Sequence, residues 1–149
     1  MNATSMLAVN IGNAVTKIGL YYSDTLLAKW TVTTPETITT SEVQTILMNF
    51  EASLKYNKEV SKLSISPKDL SPKGSIIASV APPITKAWVS ALTLVCNRKP
   101  LVVGPGLKTG IKLGYSDPSE LGADRIAEMV GARNLFGAPL IVVNLETTT

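Results

Sequence analysis

Histidine is absent from this chain of 149 residues, which also has one cysteine and few aromatic side chains. Without histidine, the chain cannot build a Ser-His-Asp triad, a histidine general base or a zinc site of the usual kind. The single cysteine, Cys96, excludes an internal disulfide, and because no histidine could activate its thiol we expect it to be buried in a helix. Aromatic residues are 5% of the chain, so the predicted core is aliphatic.

Long apolar runs and dense charge are lacking as well. No run approaches the roughly 18 apolar residues of a transmembrane helix, and residues 1–5 lack the basic start of a signal peptide, so we expect a cytoplasmic protein. The net charge is +3, but the basic residues are dispersed. The densest basic patch, Asn97-Arg98-Lys99, is better explained as a solvated helix end than as a nucleic-acid site. We therefore expect neither a nucleic acid nor a membrane as a partner.

The first third of the chain predicts a sheet followed by a helix. Hydrophobic residues make up 45% of the chain, enough for one domain with a buried core. Short apolar runs separated by turn residues predict an antiparallel three-strand meander over residues 6–11, 15–22 and 25–32. After a threonine-rich connection, Ser41 is predicted to cap a helix. The apolar face of that helix contains Val43, Ile46, Leu47, Phe50 and Leu54.

Helices and strands alternate in the remainder. Residues 56–74 are predicted to be a polar surface connection, and the second helix begins at Pro82. Further strands are predicted over 75–80, 100–103 and 140–143, and a third helix over 122–136. This order implies an α/β fold, a mixed sheet covered by helices on both faces. It is the order of a ribonuclease-H-like half-domain, of which two build an actin-like ATPase.

The start of the third helix, Gly122-Ala123-Asp124-Arg125-Ile126, carries the clearest chemical signal. Free N–H groups and the positive end of the helix dipole meet there, which suits an anionic substrate. Arg125 can hold a carboxylate, and Asp124 can accept a proton from a hydroxyl. On these letters alone, a favourable helix-end charge explains Asp124 better than a catalytic role does, and a surface ion pair does the same for Arg125; the motifs around them reverse that preference.

Several motifs in register indicate a family. Ser79-Val-Ala-Pro-Pro-Ile-Thr85, Gly104-Pro-Gly-Leu-Lys-Thr-Gly110 and the Gly122–Ile126 stretch are the clearest. Asn10-Ile-Gly-Asn13 resembles an Asp-x-Gly-Asn-Thr phosphate loop. Tyr115-Ser-Asp-Pro118 and Val142-Val-Asn-Leu-Glu-Thr147 are similar to Tyr-Asp-Asn-Pro and Val-Val-Asp-Phe-Gly-Thr. With these motifs the chain resembles the N-terminal half of a type III pantothenate kinase, which opens coenzyme A biosynthesis.

The resemblance implies roles for individual residues. Asp124 would be the base that faces the pantothenate hydroxyl. The pantothenate pocket would be lined by Tyr115, Gly122, Ala123, Asp124 and Arg125. The ATP phosphates would contact Asn10, Ile11, Gly12, Asn13, Ala14, Val15, Thr16, Lys17 and, from a second loop, Thr147. Mg²⁺ would accompany ATP, a monovalent cation (K⁺ or NH₄⁺) would lie at Asn144, and the protein would be a dimer. Gly12 is explained equally well as a plain hairpin glycine.

The nucleotide side departs from the family pattern at four positions. Asn10 and Asn144 replace acids, Ala14 replaces a threonine and Glu146 replaces a glycine. An amide oxygen is a poorer magnesium ligand than a carboxylate, and Glu146 would place negative charge near a polyphosphate. The combination indicates natural drift or specialisation rather than deliberate inactivation.

Domain length and these departures leave three functional hypotheses. We expect a half-domain over residues 1–143 and the start of a second phosphate loop over 144–149, with the second domain absent. The chain is then a pantothenate kinase, or one subunit of a homo- or hetero-oligomer whose partner chain supplies the missing half. The alternatives are a catalytically inactive binding, regulatory or structural subunit, and a truncated product with no role of its own.

Overall fold

A five-stranded mixed sheet organises the chain. The computed structural model describes residues 4–63, 65–104, 106–114 and 121–144. Its strands are β1 (Ser5–Ile11), β2 (Val15–Tyr22), β3 (Thr25–Thr33), β4 (Ser75–Ser79) and β5 (Leu101–Val102). The spatial order is β3-β2-β1-β4-β5. The strands β1, β2 and β3 pair antiparallel, which confirms the predicted meander, whereas β4 is parallel to β1 and β5 is parallel to β4.

One face of the sheet holds the larger core. In β1 the side chains of Leu7, Val9 and Ile11 are buried, as the two-residue period of a strand requires. Two long helices, α1 (Thr40–Leu54) and α4 (Pro82–Cys96), pack together over this face. They contribute Val43, Leu47, Phe50, Leu54, Ile84, Trp88, Ala91, Leu92 and Cys96 to the core. The predicted apolar face of α1 is thereby confirmed, and Cys96 is buried in α4 as expected.

The opposite face is covered by one helix, α5 (Ala123–Phe136), which packs against β4. A second cluster forms there from Ala78, Val103, Leu121 and Ile126. Ile77 lies in the first cluster and Ala78 in the second, because consecutive strand residues face opposite sides. Helices therefore lie on both faces of the sheet. This confirms the predicted α/β fold, with the strand order of a ribonuclease-H-like half-domain.

Local details differ from the sequence expectations at two helical segments. The α1 cap is Thr39 and not Ser41, because Thr39 and Glu42 satisfy each other's backbone N–H groups in a capping box. The connection 56–74 contains two short helices, α2 (Lys58–Lys62) and α3 (Pro67–Leu70). Helix α5 ends as predicted at Gly137, whose φ of 79° favours glycine. No helix among the described residues is long and apolar enough to cross a membrane.

The predicted last strand, 140–143, is wrong: these residues have no strand structure. Ile141 is 92% exposed and Val143 is 74% exposed. An apolar run becomes a strand only where another strand satisfies its backbone N–H and C=O groups, and within the described part of the chain no strand pairs with it. The segment instead lies beside α5, where Asn144 Nδ2 donates a hydrogen bond to Glu128 of that helix.

Candidate functional site

Two hollows lie beside α5. The first, which we name the sheet hollow, has a volume of about 340 Å³ and lies between α5 and the exposed part of the second sheet face. Its lining includes Ala8, Asn10, Lys17, Tyr21, Lys29, Ala78, Asp124 and Glu128. The second, the tail hollow, has a volume of about 500 Å³ and lies between α5 and residues 138–144. Its lining includes Arg125, Glu128, Arg133, Leu140 and Asn144. Asp124 and Arg125 thus belong to different hollows, although they are neighbours in sequence.

Gly122 and Asp124 form a close contact at the start of α5. Gly122 is the N-cap residue, and a Cβ atom built on it would overlap the Asp124 carboxylate oxygen Oδ1. The backbone of Gly122 has φ −59° and ψ 145°, which any residue adopts, so glycine is needed here for space. Asp124 Oδ1 accepts a hydrogen bond from the Arg125 backbone N–H at 2.8 Å. The absence of a side chain at residue 122 therefore lets this carboxylate fold against the first turn.

Arg125 and Ala123 lie on different sides of the helix start. Arg125 is exposed and lines the tail hollow, where its guanidinium is accessible to an anion. Ala123 packs against the second core cluster and so anchors the first turn to the protein. Of the residues predicted to bind the substrate, Ala123 therefore packs against the core, Asp124 offers a carboxylate and Arg125 offers a guanidinium. Tyr115, which we predicted for the same pocket, lies outside the described residues.

The residues of the β1–β2 hairpin, which were predicted to contact the ATP phosphates, differ in their exposure. Its turn is closed by a hydrogen bond from Gly12 N–H to Val15 O at 3.0 Å, and a Cβ atom on Gly12 would lie 3.1 Å from that same oxygen. Asn13, Ala14 and Val15 are exposed in this turn. In contrast, Ile11 is fully buried.

Thr16 is also fully buried, and its hydroxyl is 2.9 Å from that of Thr34. Neither Ile11 nor Thr16 can therefore offer its side chain to a ligand. Asn10 and Lys17, which pair across the two strands, both line the sheet hollow together with Asp124. The predicted phosphate-loop residues thus fall into three groups. Residues 13–15 are exposed in the turn, Ile11 and Thr16 are buried, and Asn10 and Lys17 line the sheet hollow.

An oxygen donor set lines the sheet hollow. The Asn10 oxygen Oδ1 is buried and has no hydrogen-bond partner among the described residues. Asp124 and Glu128 are one turn apart on α5, with Cβ atoms separated by about 5–6 Å in such a pair. No group of three or more His, Cys, Asp or Glu side chains suited to a metal occurs within the described ranges. Because the Asn10 oxygen is inaccessible and Lys17 and Lys29 line the same hollow, these side chains do not form a set that suits a cation.

Glu128 is the residue that the sequence interpretation missed. It lines both hollows, and its Oε1 accepts a hydrogen bond from Asn144 Nδ2 at 2.6 Å. Its position four residues after Asp124 is a signal that helical spacing could have provided. Asn144, predicted as the monovalent-cation position, is thereby placed next to a carboxylate. Thr147 and Glu146 lie outside the described residues.

Comparison with known proteins relates the chain to one family. The sequence model of the family "Type III pantothenate kinase" matches residues 6–149. A type III pantothenate kinase of Listeria monocytogenes is 36% identical over 144 residues, which is 97% of this chain and 51% of that protein. One from Exiguobacterium sibiricum is 33% identical, over 97% of this chain and 53% of that protein. The chain thus spans about half the length of these curated relatives.

A solved structure, described as the PilM-PilN type IV pilus biogenesis complex, covers 91% of this chain and 47% of its own, with 17% identity and a TM-score of 0.47. That similarity is too low to bear on fold or function. The family match extends over nearly the whole chain and includes the Gly122–Ile126 stretch around which the two hollows lie. On these grounds the chain belongs to the type III pantothenate kinase family.

Proposed function

We propose that this chain is the pantothenate-binding half of a type III pantothenate kinase, which transfers the γ-phosphoryl group of ATP to pantothenate in coenzyme A biosynthesis. The observation that carries the proposal is the Asp124 carboxylate, which lies over Gly122 and faces the sheet hollow. The partner chain that supplies the other half, the oligomeric state, the domain boundary at residue 143 and a cytoplasmic location are parts of the same proposal.

The proposed chemistry begins with a proton transfer to Asp124. Because Oδ1 already accepts the Arg125 backbone N–H, Oδ2 is the atom that would take the proton of the substrate hydroxyl. The hydroxyl oxygen then forms a bond to the γ-phosphorus, the bond from that phosphorus to the β–γ bridging oxygen breaks, and ADP leaves. The hairpin turn at Asn13 and Ala14 is exposed, and we assign the contact with the ATP phosphates to this turn.

The separation of Asp124 and Arg125 suits the shape of pantothenate. This substrate has a hydroxyl at one end and a carboxylate at the other. Asp124 in the sheet hollow would receive the hydroxyl, and the exposed Arg125 guanidinium would hold the carboxylate through paired hydrogen bonds. The substrate would therefore lie across the start of α5.

Mg²⁺ is the ion that this family's use of ATP implies, but the side chains of the sheet hollow do not fit it. The Asn10 oxygen is buried, Lys17 and Lys29 line the same hollow, and both Asp124 oxygens have other roles in the proposed chemistry. For a monovalent cation Asn144 offers only its Oδ1, because its Nδ2 donates to Glu128.

A catalytically inactive binding or regulatory subunit is the second candidate. The observation that favours it is Asn10, a neutral side chain with an unpartnered oxygen where the family pattern has an acid. Such a subunit would still bind pantothenate through Arg125. The two candidates therefore differ in whether a complete kinase containing this chain turns over, and not in substrate binding.

Calorimetric titration of pantothenate into the chain tests the proposal. We expect weak binding that falls at least tenfold in Arg125→Ala, which corresponds to about 1.4 kcal/mol. Arg98→Ala is the control, since Arg98 is exposed after α4 and lines neither hollow. Equal binding by wild type and Arg125→Ala would contradict the proposed pocket. A coupled ADP-release assay should show no turnover by the chain alone, and rates of about 1–100 per second would reject the inactive candidate.

A further inference from the structure

The last described residues have the side-chain alternation of a strand, although no described strand pairs with them. Three of them line the tail hollow and so face α5, namely Leu140, Val142 and Asn144. Ile141 and Val143 do not line it, and both are largely exposed. A two-residue period of this kind belongs to an extended backbone, in which neighbouring side chains point to opposite sides. The segment therefore already has the form of a strand, with one side on α5 and the other side open.

The backbone of this segment carries hydrogen-bonding groups that the described structure does not use. No backbone hydrogen bond joins residues 140–143 to another residue within the described ranges. The end of the segment is nevertheless held in position, because Asn144 Nδ2 donates to Glu128 Oε1 at 2.6 Å. A row of unpaired N–H and C=O groups on an extended backbone is a template on which another strand can pair.

The open side of the segment is apolar, as is the end of the helix before it. Ile141 is 92% exposed and Val143 is 74% exposed, and Leu135 and Phe136 at the end of α5 are exposed as well. No charged residue occurs between positions 134 and 145. Exposed apolar surface of this kind marks an interaction site. A strand that pairs here would be apolar where it meets the segment, because a charge would find no opposite charge there.

A second copy of the chain is too small an occupant for this edge. Two copies paired through residues 140–143 alone would bury far less than the roughly 1,200 Å² of a stable interface, and an isolated two-stranded ribbon is only marginally stable in water. The curated relatives are about twice as long as this chain, and the family match runs through the segment to residue 149. A chain that supplies the other half therefore has the length to contribute several strands.

We propose that residues 140–143 are the edge on which an apolar β-strand of the chain supplying the other half pairs. The segment would then be the first strand of a second sheet, and the partner would contribute the remaining strands. The inference rests on the proposed kinase function, because it names the surface through which the two halves of that enzyme join. The hydrogen bond between Asn144 and Glu128 fixes the segment against α5, so the partner strand pairs with a backbone that is already extended.

Co-expression with the part of the Listeria monocytogenes kinase outside its 144 matched residues tests the pairing. We expect the two polypeptides to co-purify. The two parts of the Listeria kinase, expressed together in the same way, are the positive control. In the complex, the amide hydrogens of residues 140–143 should exchange with deuterium about tenfold more slowly than in the chain alone, because pairing gives these groups hydrogen-bond acceptors.

Proline substitutions separate backbone pairing from side-chain contact. Ile141→Pro and Val142→Pro remove N–H groups that point to opposite edges of the strand, so at least one of them should lower the amount of co-purified partner about tenfold. Ile141→Thr and Val142→Thr keep the N–H group and a β-branched side chain, and should lower it less than about threefold. None of these changes removes a backbone hydrogen bond of the chain itself, so thermal unfolding of all four variants should stay close to wild type.

Analytical ultracentrifugation of the chain alone gives a second result that does not depend on the co-expressed part. We expect any self-association to be the same in wild type, Ile141→Pro and Val142→Pro. Self-association that disappears in either proline variant would make a second copy the occupant and would overturn the proposal. A complex that both proline variants form as well as wild type would also overturn it, as would absence of a complex where the two Listeria parts form one.

Pantothenate titration into the chain alone keeps the kinase proposal separate from this one. A proline-sensitive complex together with Arg125-dependent pantothenate binding supports both proposals. A proline-insensitive complex with intact pantothenate binding overturns the pairing alone. A proline-sensitive complex without pantothenate binding overturns the kinase proposal alone.

Discussion

Replacing Gly122 by alanine should separate function from stability at the start of α5. The added Cβ would overlap Asp124 Oδ1 and would lie 3.4 Å from Val80 Cγ1, an ordinary contact. The atom in the way is the free end of a short side chain, so the carboxylate can rotate aside. Its rotation would break the 2.8 Å hydrogen bond from Arg125 N–H, a loss of roughly 1 kcal/mol for an exposed bond to a charged group.

The lost hydrogen bond and the lower entropy of the unfolded chain have opposite effects on stability, so the net change is small. The backbone at residue 122 is extended, so alanine adds no strain and lowers the entropy of the unfolded chain by about 0.4–1 kcal/mol. We therefore expect the free energy of unfolding to stay within about 1 kcal/mol of wild type. Since the proposed contact between this carboxylate and the hydroxyl of pantothenate would be lost, we expect pantothenate affinity to fall about tenfold, or about 1.4 kcal/mol.

Urea unfolding and calorimetric titration measure the two effects, and Gly131→Ala is the matched control. Gly131 lies on the same helix, and a Cβ atom there would meet nothing within 4 Å. That variant should gain about 0.5–1 kcal/mol in stability, because glycine is unfavourable in a helix, and should bind pantothenate unchanged. The reasoning is refuted if Gly122→Ala binds pantothenate like wild type, or if it loses more than about 2 kcal/mol of stability.

Two other predictions concern single ionisable groups. Hydrogen bonds from the backbone N–H and then the hydroxyl of Thr39 hold the pKa of the Glu42 carboxyl below its ordinary value. A carboxyl with a lowered folded pKa contributes stability above its unfolded pKa and loses it as the pH falls through the folded value. The difference in Tm between wild type and Glu42→Gln should therefore shrink from pH 7 to below about pH 4, and a constant difference would contradict it. Burial raises the pKa of the Cys96 thiol, so a thiol reagent should react slowly with the native chain at pH 7.5 and rapidly in urea. Fast modification of the folded protein would show that α4 does not bury this residue.

Sequence patterns were sufficient for the fold wherever neighbouring residues determine the structure. The meander followed from short apolar runs and tight turns, and the core face of α1 followed from helical spacing. The cap of α1 was assigned to Ser41 because several residues with hydroxyl groups lie around the start of that helix, and only the pairing of Thr39 with Glu42 identifies the cap. The run 140–143 has the composition of a strand, but strand formation depends on a partner that composition does not reveal.

The site was predicted less completely than the fold, for a similar reason. Gly122, Asp124 and Arg125 were identified from the motif that contains them. That Asp124 and Arg125 line different hollows depends on how α5 packs against β4. Glu128 carries no motif of its own. It is identified only by its hydrogen bond from Asn144, a residue 16 positions away in sequence, and by its place in the lining of both hollows.

The alanine near the end of β4 has a consequence for the room beside it. Ala78 lies beneath α5 and also forms part of the floor of the sheet hollow. As the smallest side chain with a Cβ atom, it lets the helix lie close to the sheet. Exchange for valine or leucine would raise the floor and push α5 outward without altering any acid or base. The volume of one core residue thus sets the depth of the hollow.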